Sequence, residues 1–450
     1  VRSSTSKAFG KLGRALGCAA AALGLALAAG PACADQIPAG WQAAHVKPIG
    51  YSALGGRYGG FKIAIKHAAN GKWYLFSGHS FDQGWSIVDI TDPTKPRYVK
   101  FIPFATDDKH VLTAQVTLHD NLMITSLNTF EPQKTPLPAV LLWDISDPEN
   151  PKQISSWMGG AEGAHRNSYP GGKYAYLSTS YPGFKSNILV ILDVSDPAHP
   201  KDIGKWWQPG QKDGEPAAMW PEGFHGPANI SPDGRMASLP YTPDVVNLDI
   251  SDPTQPKLIG RLHFTVPFAS VGIQSVHTVL PLWDRNLLYV SSEAQKPGCA
   301  DDGMNFAALV DNKTPAHPRL ISIFPTPRPP KTAPYKDFCD KGGRFGPHNT
   351  SQEIHNPAIQ KPGNLMYVAW FNAGLRVFDI SDARLPTETG YFIPPERPGL
   401  PNKGGAHGSP VNWSEEVAVD ARGNIYMNDD KWGLWVLRYT GRQPSAKTEP

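Results

Sequence analysis

Cysteine is scarce, with four residues in a chain of 450, and two of the four fall within the first 34 positions. The remaining pair, Cys299 and Cys339, lacks the close Cys-x-x-Cys spacing of a thiolate metal site. An excess of either charge is lacking too. Four of the 43 Lys and Arg residues lie within residues 1–34, and the other 39 face 40 acidic residues, a formal net of −1. That balance gives no basis for binding nucleic acid or an anionic membrane. No GxSxG elbow, HExxH helix or phosphate-cradling glycine loop stands in a supporting context, so the chemistry those motifs carry is not expected.

The first 34 residues form a separate unit. Lys7, Lys11 and Arg14 precede an Ala/Leu-rich stretch from Leu16 to Ala29, and Ala32-Cys33-Ala34 supplies small residues where a signal peptidase cuts. The expectation is a signal peptide at 1–34, a secreted or periplasmic protein, and no stable membrane insertion after cleavage. An oxidising compartment permits a Cys299–Cys339 disulfide, with a wide-set thiol pair serving a metal as the alternative. Residues 442–450 are expected to form a disordered tail. The region between, 35–441, has no low-complexity linker and reads as one domain; 45 Pro and 43 Gly residues suit many short strands and turns.

One phrase organises that domain. Ile188 to Pro200 reads ILVILDVSDPAHP, an apolar strand, an Asp and an Asp-Pro turn. It returns at 85–96 (WSIVDITDPTKP), 140–151 (VLLWDISDPENP) and 245–256 (VVNLDISDPTQP), more weakly at 307–318 and 375–386, and at 432–441 as a strand without the turn. The anchor aspartates Asp89, Asp144, Asp193, Asp249, Asp311 and Asp379 are 55, 49, 56, 62 and 68 residues apart. Strand-rich repeats of this size are propeller blades. The fold class is therefore all-β, a seven-bladed β-propeller. Residues 45–50 (HVKPIG) echo the outer strand PKLIG at 256–260, so the ring should close by the N-terminal strand joining the last blade. The long insertion from Thr326 to Phe345 is expected as a loop over one face.

The phrases VILDVSDP, LLWDISDP and VNLDISDP resemble the LVIVD-repeat family of secreted bacterial propeller proteins across nearly all of the domain. The resemblance implies the fold and leaves the chemistry open. A looser similarity is to selenium-binding proteins and methanethiol oxidases, propellers that use copper; it adds weight to a metal without assigning a ligand.

The chemical signal is a histidine register. Glu162-Gly-Ala-His165, Glu222-Gly-Phe-His225, Gln274-Ser-Val-His277, Gly346-Pro-His348 and Gly405-Ala-His407 stand at the start of successive blades, and the first three histidines precede their second strands by 9 to 11 residues. First strands line the channel of a propeller, so a position repeated across blades becomes a ring in space. Imidazoles on rigid strands can hold copper, iron or zinc with a position left open. Glu162, Glu222, Glu353, Glu415 and Glu416 are candidate acceptors for the second ring nitrogens. The carotenoid-cleaving oxygenases, which hold iron by four histidines at a propeller centre, are an architectural parallel only. Arg166 follows His165 and could bind an anionic group of the substrate or brace a carboxylate. His355 is a rival for His348. His110 occupies the comparable part of blade two, and His119 is expected to face solvent. For each histidine singly, a structural role is the competing account, because a duplicated repeat duplicates its residues.

The expected protein is a metal-dependent oxidoreductase acting on a small molecule at the channel mouth. His165, His225, His277, His348 and His407 are its ligands, and Glu162, Glu222 and Arg166 its catalytic groups. Copper is first choice, then iron or zinc. The alternatives are a metal-assisted hydrolase or lactonase, and a non-catalytic propeller that binds a protein partner. Asp107-Asp108, Asp301-Asp302 and Asp429-Asp430 are turn acids that could hold structural calcium.

Overall fold

The computed structural model describes residues 34–444 apart from 81, 107, 109, 130–136, 217–222, 270–272, 300–303 and 399–410. The expected leader, save Ala34, and most of the expected tail lie outside these residues. Seven antiparallel sheets form the blades of a propeller. Blade one is Gly60–His67, Trp73–His79, Gly84–Asp89 and Arg97–Pro103. Blade two is Val116–His119, Leu122–Ser126, Val140–Asp144 and Lys152–Trp157; blade three is Ala164–Ser168, Tyr174–Thr179, Ile188–Asp193 and Lys201–Trp206. Blade five is Ile273–Leu282, Leu287–Ala294, Ala307–Asp311 and Arg319–Ile323. First strands of neighbouring blades pack side by side around the channel.

The recurring phrase works as a turn device. The carboxylates of Asp89, Asp144, Asp193, Asp249, Asp311 and Asp379 each accept the backbone N–H two residues on, at 2.8 to 3.0 Å. This Asx turn ends the third strand and starts the Asp-Pro turn. A β-bulge between third and fourth strands recurs from blade to blade, as at Ile191/Leu192 and Asn247/Leu248. There the outer strand passes close to the next blade's turn. A Cβ on Gly204 would fall 1.9 Å from the Pro253 carbonyl oxygen, and one on Gly260 2.3 Å from that of Ala316, so only glycine fits.

The ring closes through the N-terminal segment. Val46–Ser52 pairs antiparallel with Gly433–Tyr439 as the outer strand of blade seven, whose first two strands are Ser414–Val419 and Ile425–Asp429. Gln42–Ala44 adds to Thr387–Ile393, the outer strand of blade six after Leu365–Ala369 and Leu375–Asp379. Large rings fill the wedges between blades. Trp85 of blade one meets Trp143 of blade two with centroids 5.8 Å apart, and Trp435 of blade seven meets Phe392 of blade six at 5.0 Å.

Three local features depart from a regular pattern of blades and loops. Blade four's first strand is split into Gly223–Phe224 and Asn229–Ile230, followed by Met236–Thr242, Asp244–Asp249 and Lys257–His263. Blade six has no first strand at 351–355: a bridge from Thr350 to Val368 stands alone, because Ile354, Asn356 and Ile359 turn the chain with short backbone hydrogen bonds. The insertion is no simple loop; it contains a helical turn, Phe338–Lys341, capped by Asp337, and Cys339 within that turn is disulfide-bonded to Cys299. Of the proposed calcium acids, Asp107, Asp301 and Asp302 lie outside the described residues. Asp429 is buried, its carboxylate taken by Trp413 N–H, Ser414 Oγ and Lys431 N–H. No helix among the described residues is long and apolar enough to cross a membrane.

Candidate metal centre

Bulges at the start of the first strands aim the site. The ladder slips between Ala164 and Arg166 in blade three, between Gln274 and Thr278 in blade five, and between Ser414 and Glu416 in blade seven. A bulged residue leaves the period-two alternation and is re-aimed. His165, His277 and Glu415 stand in these bulges. His225 follows Gly223–Phe224, and His348 precedes the lone bridge at Thr350.

The structure brings four of the five candidate histidines together. Nε2 of His165 lies 3.0 Å from Nε2 of His225. Ring centroids are 4.0 Å apart for His225 and His277 and 4.7 Å for His277 and His348. His225, His277 and Glu293 each present a ligand atom within 4.8 Å of the others, a candidate metal-binding cluster.

The hydrogen bonds settle which nitrogen of each ring carries the proton. Nδ1 of His225 faces the Gly226 carbonyl at 3.2 Å, and Nδ1 of His348 faces the Glu415 carbonyl at 2.7 Å. Carbonyls only accept, so both Nδ1 atoms donate. Thr278 gives its hydroxyl proton to the His348 carbonyl at 3.0 Å and therefore accepts from Nδ1 of His277 at 2.8 Å. Asn128 directs its amide N–H to the Glu162 carbonyl at 2.9 Å, leaving Oδ1 to accept from Nδ1 of His165 at 3.1 Å. Nε2 of each ring is thus left unprotonated, that of His277 accepting from Arg166 at 3.1 Å, and an acceptor held at Nδ1 is how a neighbouring residue prepares a metal ligand.

Electrostatics favours the same state. His225, His277 and His348 are buried and His165 is partly so. Burial, then the Arg166 charge, pushes His165 down to about 3; burial, with the Arg166 and Arg344 charges, outweighs the Glu293 carboxylate in bringing His348 to about 3, and His225 and His277 are also held well below the usual range. The imidazoles stay neutral at physiological pH. Glu293 stands over them, its carboxylate 3.4 Å from Nε2 of His277 and 3.9 Å from Nε2 of His348, gripped by Arg344 at 2.9 Å and Gln295 at 2.7 Å. Phe371 stacks on His348 at 4.6 Å and Phe61 meets it edge-on at 5.7 Å.

Arg166 lies against the quartet, as taken up below. The remaining candidates fall elsewhere. Glu162 is exposed, a correction to its expected catalytic role, and contributes the backbone carbonyl that orients Asn128. Glu222 and His407 lie outside the described residues. Glu353 is bonded to Thr117 at 2.8 Å and Glu416 to Lys62 at 3.2 Å, so neither orients a histidine. The Glu415 carboxyl approaches Nδ1 of His348 at 3.1 Å, although the backbone carbonyl of the same residue is nearer. His110 is 60% exposed beside Asp108 and is not among the four converging histidines. His119, expected in solvent, is 22% exposed beside Asp120. The sequence reading missed Glu293, Arg344, Asn128 and Thr278. Of these, Glu293 alone left a trace, as the acid in the otherwise uncharged strand Leu287–Ala294.

The LVIVD repeat model matches residues 171–206, 244–263 and 359–392. The chain therefore carries LVIVD repeats on a seven-bladed propeller. No curated protein matches it. Among solved structures, the periplasmic gluconolactonase of Pseudomonas aeruginosa is similar at 10% identity and a TM-score of 0.50, over 74% of this chain and 88% of that one. A functionally unknown protein from Desulfotomaculum acetoxidans is similar at 13% identity and 0.48, over 81% and 89%. These likenesses concern the fold.

Proposed function

We propose that the protein is a metal-dependent enzyme acting on a small molecule at its channel mouth, and that the reaction is the hydrolysis of an ester or lactone. The observation that carries this reading is the convergence of four unprotonated Nε2 atoms, each fixed by an acceptor at its own Nδ1. Neutral imidazoles suit copper, iron and zinc. Such an ion supplies Lewis-acid polarisation of a carbonyl and activation of water. Glu293 is placed to take the proton of the attacking water and to return it to the alcohol oxygen as the acyl C–O bond breaks. Arg344 holds that carboxylate in place. The gluconolactonase likeness is a likeness of fold, and lends this reaction class support by analogy only.

A second reading, oxidation at copper or iron, is favoured by the all-nitrogen quartet; the loose resemblance to selenium-binding and methanethiol oxidase propellers is in keeping with it. A secreted or periplasmic location goes with either reading and is supported by the Cys299–Cys339 disulfide.

The test is elemental analysis of protein purified without chelator, followed by turnover of a lactone panel with and without oxygen. One equivalent of metal and oxygen-independent lactone opening are expected. Oxygen consumption coupled to substrate loss would establish the second reading. Substoichiometric metal after reconstitution with copper, iron and zinc would remove both and leave a binding propeller.

A further inference from the structure

Arg166 carries a buried charge without a buried counter-charge of its own. Its side chain is 1% exposed. Nη1 donates to Asn349 Oδ1 at 3.0 Å and Gln352 Oε1 at 3.4 Å, Nη2 donates to Nε2 of His277 at 3.1 Å, and Nε has no partner. All its partners are neutral. Three buried or half-buried carboxyls act on it through space: Glu416, held by Lys62 at 3.2 Å, Glu293, held by Arg344 at 2.9 Å, and Glu415, which lies beside His348. Among the described residues no carboxylate reaches ion-pair distance of Arg166. A guanidinium sealed from water without an anion is strongly disfavoured unless something supplies the missing charge.

Metal binding sharpens the need. Nε2 of His277 cannot accept from Arg166 and bind an ion with the same lone pair. Filling the site therefore strips Nη2 of its acceptor while adding positive charge beside it. Lys62 lies on the same side, sharing Gln352 Oε1 with Arg166 at 3.2 Å, so the surroundings offer no relief.

We infer that Arg166 is the anion-binding group of this site, and that the ligand is a small molecule bearing a carboxylate, one oxygen of which replaces Nε2 of His277 as acceptor for Nη2. This rests on the metal-enzyme reading and names its ligand class. A planar guanidinium fits a carboxylate with two parallel donors, and Nε is free to supply the second.

The experiment compares glycolate with its neutral isostere glycolamide by isothermal titration calorimetry, on the metal-reconstituted and the metal-free protein, with metal content measured in each sample. In the wild type we expect glycolate to bind at least tenfold more tightly than glycolamide. Arg166→Met should retain its metal and lose that preference, and Arg166→Lys, which keeps charge but not the fork, should weaken glycolate several-fold and leave glycolamide unchanged. A wild type that binds both alike, or an Arg166→Met protein that still discriminates, overturns the inference. Absence of metal in the wild type sinks the metal reading alone, because the metal-free comparison still decides whether Arg166 holds the carboxylate. Should Arg166→Met fail to fold, the Arg166→Lys comparison decides.

Discussion

Nε2 of His165 and Nε2 of His225 face each other at 3.0 Å, while Nδ1 of each ring is turned to an acceptor, Asn128 Oδ1 and the Gly226 carbonyl. Two lone pairs at hydrogen-bond distance repel unless a cation separates them, and burial keeps both rings from protonating. The spacing also carries geometry. Two nitrogens about 2.1 Å from one ion are about 3.0 Å apart at a right angle and about 3.4 Å apart at a tetrahedral one. The pair fits cis positions of a square-based or octahedral ion. Cobalt(II)-substituted protein is therefore expected to show the weak visible bands of five- or six-coordinate cobalt. Intense tetrahedral bands would contradict this assignment.

Metal binding should stabilise the folded chain, because unfolding scatters the four rings among blades three to six. At a free metal concentration a thousandfold above Kd the gain is about 4 kcal/mol. Chelation should lower Tm by several degrees in the wild type. His225→Ala should melt near the chelated wild type and not respond to metal. An equal response in both proteins would place the metal elsewhere.

The fold was more legible than the site for a physical reason. Asp193 and its five counterparts announce a turn through local chemistry, a carboxylate meeting the N–H two residues on, and local chemistry repeats with the sequence. The echo of 256–260 at 46–50 revealed the closing strand because Gly50, like Gly204 and Gly260, lies where a Cβ would strike the neighbouring blade's turn. Site residues answer to the ring. His165, His225, His277 and His348 could be read from their shared place ahead of a strand, but Glu293 comes from a second strand, Arg344 from an insertion and Asn128 from the end of another blade. What joins them is spatial, and the bulges that re-aim His165 and His277 leave no composition mark. Glu162 misled because its proximity in sequence to His165 is spent on a backbone contact.

Asn128 is the acceptor that fixes His165, at 3.1 Å, and Asn128→Leu removes it while keeping the branching of the side chain. His165 could then adopt the other tautomer or rotate. Loss of such a partner typically weakens metal binding about 10- to 100-fold. The expected result is that loss in a competitive chelator titration, with the far-ultraviolet circular dichroism unchanged. Unaltered affinity would mean that His165 is not a ligand.

The metal-free protein should be most stable near neutrality. Burial brings His165 and His348 to about 3 and holds His225 and His277 well below the ordinary 6.5, so the unfolded chain takes up protons on all four as pH falls below that value, and acid destabilises. Burial raises Glu415 to about 8, and Glu416 and Asp430 to about 7, all above their unfolded values; the folded chain binds more protons there, and stability falls as pH rises through that range. The two trends oppose, and Tm of the chelated protein should peak between about pH 6 and 7. Calorimetry from pH 4 to 9 checks this, and a Tm still climbing at pH 9 would rule out protonated buried acids.

The Cys299–Cys339 disulfide should matter to the site as well as to stability. It spans 40 residues, for which chain entropy gives a stabilisation of roughly 4 kcal/mol. It also joins two segments that meet beside the histidines: Gly298 N–H bonds the Gly343 carbonyl at 2.8 Å, and the next residue, Arg344, grips Glu293. Arg344 further packs over Trp413, its guanidinium carbon 4.8 Å from the ring centroid. Releasing the tether lets the segment holding Arg344 lift while the first strands, which carry the metal ligands, stay in place. Cys299→Ser/Cys339→Ser should therefore lose stability in denaturant and lose most of its turnover, yet bind metal nearly as tightly as the wild type. Arg344→Met in the intact disulfide background should reproduce the loss of turnover without the loss of stability. If the double-serine protein loses metal instead, the tether supports His348 directly and Glu293 is a ligand rather than a base.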